Sequence, residues 1–179
     1  MPKNLRFLTG CSALMLAMDA NAHLMTAQNG ILNVSGSYAY LAVSVPVSSF
    51  QFNDQDGDRL LSDQELEGQS SSIYRQISDG VELRQGEANL PKELAMISLN
   101  SEDGDHFKAS GQLLAMFKFA LPTSASCAAS DSFKDIGLAL KLYGNTKFEE
   151  AIEITIMLCG EKNRVTTDQF HPYAGLHRD

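Results

Sequence analysis

Apolar and polar residues alternate with a period of two along most of the chain, a pattern that predicts strands. Leu41, Val43 and Val45 share one face of residues 38–45, which Pro46 ends. Leu113, Ala115, Phe117, Phe119 and Leu121 share one face of 112–121, which Pro122 stops. Ile136, Leu138, Leu140 and Leu142 alternate over 135–143, and Ile152, Ile154, Ile156 and Leu158 over 148–158. Shorter strands are expected at 31–34, 81–84, 94–99 and 165–170, with the stretch 94–99 apolar on both faces. Turns are expected at Gly36-Ser37, 100–110, Gly144-Asn145 and 160–163, and a small-residue loop at 123–132. One segment has a helical period. Leu66, Ile73 and Ile77 fall on one face of 63–78, with Gly68 and Ser70-Ser71-Ser72 weakening the helix and Gly80 ending it.

Seven or eight strands with frequent turns make the chain mainly β. The expected architecture is an antiparallel, Ig-like β-sandwich. A loop-helix insertion at about 47–79 lies between its second and third strands. The stretch 47–52 is too short for more than a helical turn.

Between that turn and the helix runs Asp54-Gln55-Asp56-Gly57-Asp58-Arg59-Leu60-Leu61-Ser62-Asp63-Gln64-Glu65. Carboxylates at alternate positions of a tight loop can aim hard oxygens at one centre, which a calcium ion requires. Ser62 and Glu65 form a capping-box pattern, so the helix begins here. The spacing resembles the calcium loop of the EF-hand superfamily, over the loop and the helix that follows. The resemblance implies calcium as cofactor. It assigns carboxylate oxygens of Asp54, Asp56 and Asp58, the backbone carbonyl of Leu60, Ser62 directly or through a water, and both oxygens of Glu65 as ligands. Leu61 is apolar at the position where the family prefers it. Arg59 departs from the family, which has glycine where the chain turns with positive φ. With a truncated incoming helix and no second loop, the expected site is weak, solitary and structural rather than a sensor.

The N-terminus alters the setting. Lys3 and Arg6 precede a mostly apolar run from Phe7 to Met18, and Ala20-Asn21-Ala22 fits a small-x-small cleavage rule. Residues 1–22 read as a secretory signal peptide, too short in its apolar part to be a transmembrane segment. Leu8-Thr9-Gly10-Cys11 resembles a bacterial lipobox, but the apolar run continues past it. Cleavage leaves 23–179 as a single domain and takes the net charge from −8 to −9, because Lys3, Arg6 and Asp19 leave together. Localisation is then periplasmic or extracellular. Cys127 and Cys159 remain as an even pair in an oxidising compartment, which reads as a disulfide.

Acidic charge without a basic cluster argues against nucleic acid as a partner. Neither a nucleophile elbow, a zinc-binding HExxH, a phosphate loop nor a Cys-His pairing is present, so catalysis is the weaker class. The cluster Glu102-Asp103-Gly104-Asp105 echoes the acidic loop, but the strand beginning at Gln112 makes it a hairpin loop. His171-Pro172-Tyr173 and His177 read as a polar tail. The primary reading is an exported calcium-binding protein whose single site is mainly structural and supports an unidentified protein partner. Two alternatives stand beside it. His23, as a new N-terminus, would pair its imidazole with the α-amine to chelate copper, with Met25 as a soft neighbour. The sandwich would otherwise serve as an envelope adhesion or assembly module.

Overall fold

The computed structural model describes residues 28–99, 111–123, 125–128 and 132–176. The expected signal segment with Cys11, the copper candidates His23 and Met25, the cluster at 102–105, His106 and His177 lie outside the described residues. The chain runs through β1 (Asn29–Ser35), β2 (Tyr38–Pro46), one turn of 3₁₀ helix (Val47–Ser49) and α1 (Asp63–Asp79). It continues through β3 (Val81–Gln85), β4 (Ala88–Asn89), β5 (Lys92–Leu99), β6 (Gln112–Ala120), β7 (Ile136–Leu140), β8 (Ala151–Leu158), β9 (Glu161–Asp168) and β10 (Tyr173–Gly175). The larger sheet has the order β5-β6-β2-β1-β8-β9, and the smaller one β10-β7-β3-β4.

The inner faces follow the alternation. Ala39, Leu41, Val43 and Val45 of β2 are buried, as are Leu113, Ala115, Phe117 and Phe119 of β6 and Ile152, Ile154, Ile156 and Leu158 of β8. They join Leu83, Ile136, Leu138 and Leu140 of the smaller sheet in one continuous core, so the molecule is a β-sandwich. The insertion lies between β2 and β3, as expected. Ile73 and Ile77 of α1 and Leu61 of the loop enter the same core, each fully buried. The helix and its preceding loop are therefore anchored to the sandwich by apolar contact.

Several details depart from the alternation pattern. β1 pairs antiparallel with β2 but parallel with β8, in the register Leu32↔Ile156, so the larger sheet is mixed. β9 begins at Glu161, where a turn was expected; the turn is only Cys159-Gly160, and the polar residues that follow form an edge strand. The expected C-terminal tail is a strand over Tyr173–Gly175, which pairs with β7 and carries the buried residues Ala174 and Leu176. The Tyr173 ring occupies the space a side chain on Gly137 would need, an aromatic covering a bare stretch of sheet. β5 starts at Lys92 and is bulged between Leu94 and Met96, which disrupts pairing along an exposed edge.

Cys127 and Cys159 form a disulfide with Cα atoms 5.4 Å apart. Cys159 is also the first residue of the two-residue β8–β9 hairpin, with φ of 55°, followed by Gly160 at 84°. Such turns favour Asn-Gly because both residues need positive φ. A cysteine in that conformation is disfavoured by about 1 kcal/mol, and the covalent tie to the β6–β7 connection holds it there. Replacing both cysteines by serine is expected to lower the unfolding free energy in urea by about 3–4 kcal/mol, from the entropy of a 32-residue separation. The pair Cys127→Ser, Cys159→Asn should regain about 1 kcal/mol of that, because Asn tolerates positive φ. Equal stability of the two double variants would show that the turn conformation carries no strain.

Candidate metal centre

The acidic loop hangs between two fixed ends. At its far end, Leu61 is buried and Ser62 caps α1. The capping box expected from the sequence is complete: the Ser62 hydroxyl oxygen accepts from the Glu65 amide, and the Glu65 carboxylate accepts from the Ser62 amide at 3.0 Å. Glu65 is only 4% exposed, and a buried carboxylate needs several donors. It has them. Oε2 also accepts from the Ser62 hydroxyl at 2.8 Å, and Oε1 accepts from the Gln55 amide at 2.7 Å. These bonds hold the Glu65 carboxyl below its usual range, the Ser62 amide first and the Gln55 amide second.

At its near end, the chain enters as an extended segment clasped by the helix. The Gln51 amide donates to the Gln76 side-chain oxygen at 2.8 Å, and the Gln76 side-chain amide returns a bond to the Gln51 carbonyl at 2.8 Å. Asn53 and Gln69 repeat the exchange, at 2.5 and 3.0 Å. Two glutamines two helical turns apart thus pair with alternate residues of an extended chain, as a neighbouring strand would. This clasp was invisible to periodicity, because side chain to backbone bonds leave no sequence pattern. The other end of α1 has no basic residue in its last turn. Lys92 of β5 reaches the carbonyls of Ser78 and, at 2.6 Å, Val81, placing a cation at the negative end of the helix dipole.

Between these ends, Asp54, Asp56 and Asp58 each offer a carboxylate oxygen, all within 4.8 Å of one another. Three negative charges converge because backbone amides aim them. Asp54 accepts from Gly57 at 2.7 Å and from Arg59 at 2.9 Å, and Asp58 accepts from Leu60 at 2.7 Å. Desolvation opposes ionisation of Asp54, yet the amides of Arg59 and Gly57 outweigh it and keep its carboxyl below the ordinary value. For Asp56 the balance is reversed. The Asp58 amide favours its charge, but desolvation and the neighbouring carboxylates of Asp58 and Glu65 raise it. A hard cation would relieve that repulsion, and these carboxylates can hold a metal ion.

Of the six ligand candidates, the structure brings the three aspartates together. Ser62 and Glu65 are bonded to each other at the start of the helix, with Glu65 close enough to act on the charges of Asp54 and Asp56. Leu60 contributes its amide to Asp58 and is part-exposed. Arg59 adopts φ of 64°, the left-handed conformation expected at its position from the sequence resemblance. The chain matches no protein-family model, and no curated protein is significantly similar to it.

The low value of Glu65 makes stability depend on pH with a definite sign. In the fold its carboxyl titrates below the ordinary 4.5, so in acid the unfolded chain binds more protons and stability rises with pH. The stabilisation is complete above about pH 4.5 and is lost as pH falls through the lower folded value. Urea unfolding in EDTA from about pH 6 to about pH 3 should show a shallower acid decline for Glu65→Gln than for the native chain. Parallel declines would mean that the buried carboxylate contributes nothing through its charge.

Proposed function

We propose that the chain is an exported calcium-binding protein whose single EF-hand-like loop is structural. The observation that carries this reading is the convergence of Asp54, Asp56 and Asp58 in a loop whose next ligand position, Glu65, opens a capped helix. Calcium–oxygen distances of about 2.3–2.6 Å put ligands on opposite sides of the ion roughly 5 Å apart, which suits oxygens gathered within 4.8 Å. Asp54, Asp56 and Asp58 would hold the ion, with the Leu60 carbonyl, Ser62 and Glu65 completing the set. The ion supplies positive charge that ties the acidic loop to the start of its own helix. The positive φ of Arg59 supports the loop geometry, and its cation argues for weak affinity, in the range of about 10⁻⁴–10⁻³ M known for extracellular modules.

A structural role follows from the anchoring. Leu61 and Ile73 are already in the core and the helix is already capped, so little apolar surface is left for an ion to expose. The disulfide fits an oxidising compartment, and among the described residues no helix is long and apolar enough to cross a membrane.

Calcium binds the native state and not the unfolded chain, so it should raise the melting temperature. At a hundredfold excess over Kd the gain is about 2.7 kcal/mol, or roughly 5–10 °C for a domain of this size. Glu65→Gln should weaken calcium at least tenfold by calorimetry. Coincident melting curves in EDTA and in excess calcium, with no heat of binding, would end this reading.

A further inference from the structure

The loop has a second face. On its flank lies an open cavity of about 440 Å³, lined by Val47, Phe50, Phe52, Arg59 and Asn145, with Asp54 and two further polar residues at its edge. Three of its eight lining residues, Val47, Phe50 and Phe52, are apolar, and the other five are polar or charged. The walls are fixed. Val47 and Phe50 are buried in the core, and the rings of Phe50 and Phe52 lie 6.1 Å apart. The glutamine clasp holds the extended segment on which both rings stand, through the intervening Gln51 and the adjacent Asn53.

Arg59 gives this cavity its chemistry. Among the described residues its guanidinium has neither an ion-pair nor a hydrogen-bond partner, although four aspartates, Asp54, Asp56, Asp58 and Asp63, lie within five residues of it in sequence. Its backbone is held in the left-handed conformation by the bond to Asp54, so the side chain leaves the loop at a set angle. The side-chain amide of Asn145 also makes no hydrogen bond among the described residues and offers a second donor.

We propose that this cavity binds a small organic carboxylate with an apolar body, its carboxylate on the Arg59 guanidinium and its body against Val47, Phe50 and Phe52. A planar guanidinium matches a carboxylate through two parallel hydrogen bonds. The four carboxylates that would hold the ion, Asp54, Asp56, Asp58 and Glu65, oppose an incoming anion, and a calcium ion removes half of their charge. Carboxylate binding is therefore stronger with calcium, and by linkage the carboxylate tightens calcium by the same factor. The calcium dependence rests on the reading of the loop given above; the Arg59 dependence does not.

The test uses 3-phenylpropionate and its uncharged amide as probes, titrated by calorimetry into the native chain, Arg59→Gly and Arg59→Gln, in excess calcium and in EDTA. The expected result is saturable binding of 3-phenylpropionate to the native chain, at least tenfold weaker binding of the amide, and at least a tenfold loss in both variants. Arg59→Gly relieves the left-handed strain and removes a cation beside the ion, so its calcium affinity should equal or exceed the native value. Its loss of the carboxylate then cannot come from misfolding. Absence of saturable binding to the native chain overturns the proposal, and so does equal binding of the amide. Undiminished binding to Arg59→Gly also overturns it, because the carboxylate would then be held by the ion. Binding that depends on Arg59 but is the same in EDTA upholds the pocket and counts against the calcium reading instead.

Discussion

The insertion depends on how one buried carboxylate is satisfied. Glu65 stands where the loop ends and the helix begins, and it is almost wholly buried. An ionised group there is tolerable only with hydrogen bonds on both oxygens. The Ser62 amide and hydroxyl take one oxygen, and the Gln55 amide takes the other. Those bonds start the helix and fold the acidic loop back onto its own end. Leu61, buried four residues earlier, sets the depth to which the assembly is seated.

From that seat the loop is built like a bracket. One arm is the capped helix, attached through Ile73 and Ile77. The other is the extended segment held by Gln69 and Gln76. Paired helices give calcium sensors their moving parts. A strand-like arm bonded to the helix has no comparable freedom, since opening it would break two reciprocal pairs of hydrogen bonds. The same rigidity holds Phe50 and Phe52 in place beside Arg59, so the features that make the loop a poor switch make its flank a preformed cavity.

The sequence showed much of this, in proportion to how local each cause is. The faces of β2, β6 and β8 were legible because burial on one side of a sheet imposes strict alternation, and Leu41, Phe117 and Ile154 are buried accordingly. The capping box and the spacing of the three aspartates were legible because they depend on residues a few positions apart. The need for positive φ at Arg59 followed from its place in the loop. What escaped was set by distant contacts. The parallel pairing of β1 with β8 depends on two segments about 120 positions apart. β10 is three residues among Pro, Gly and His, and it becomes a strand because β7 offers an edge and Tyr173 covers Gly137. Arg59 was legible as a departure from a metal loop, but its position beside Val47 and Asn145 required the fold.

The parallel pair also constrains the order in which the molecule can be assembled. β1 and β2 are adjacent in sequence and pair as a hairpin, but the other edge of β1 is completed only by β8, about 120 positions later. Until then Ile31 and Leu32 lie on an unpaired edge strand, the kind of surface that recruits foreign strands. Long-range pairing of this sort also slows folding, because a large loop must close before any contact rewards it. A chain with this topology is one for which holding the N-terminal hairpin unfolded, or shielded, until synthesis is finished would matter more than the stability of the finished sandwich.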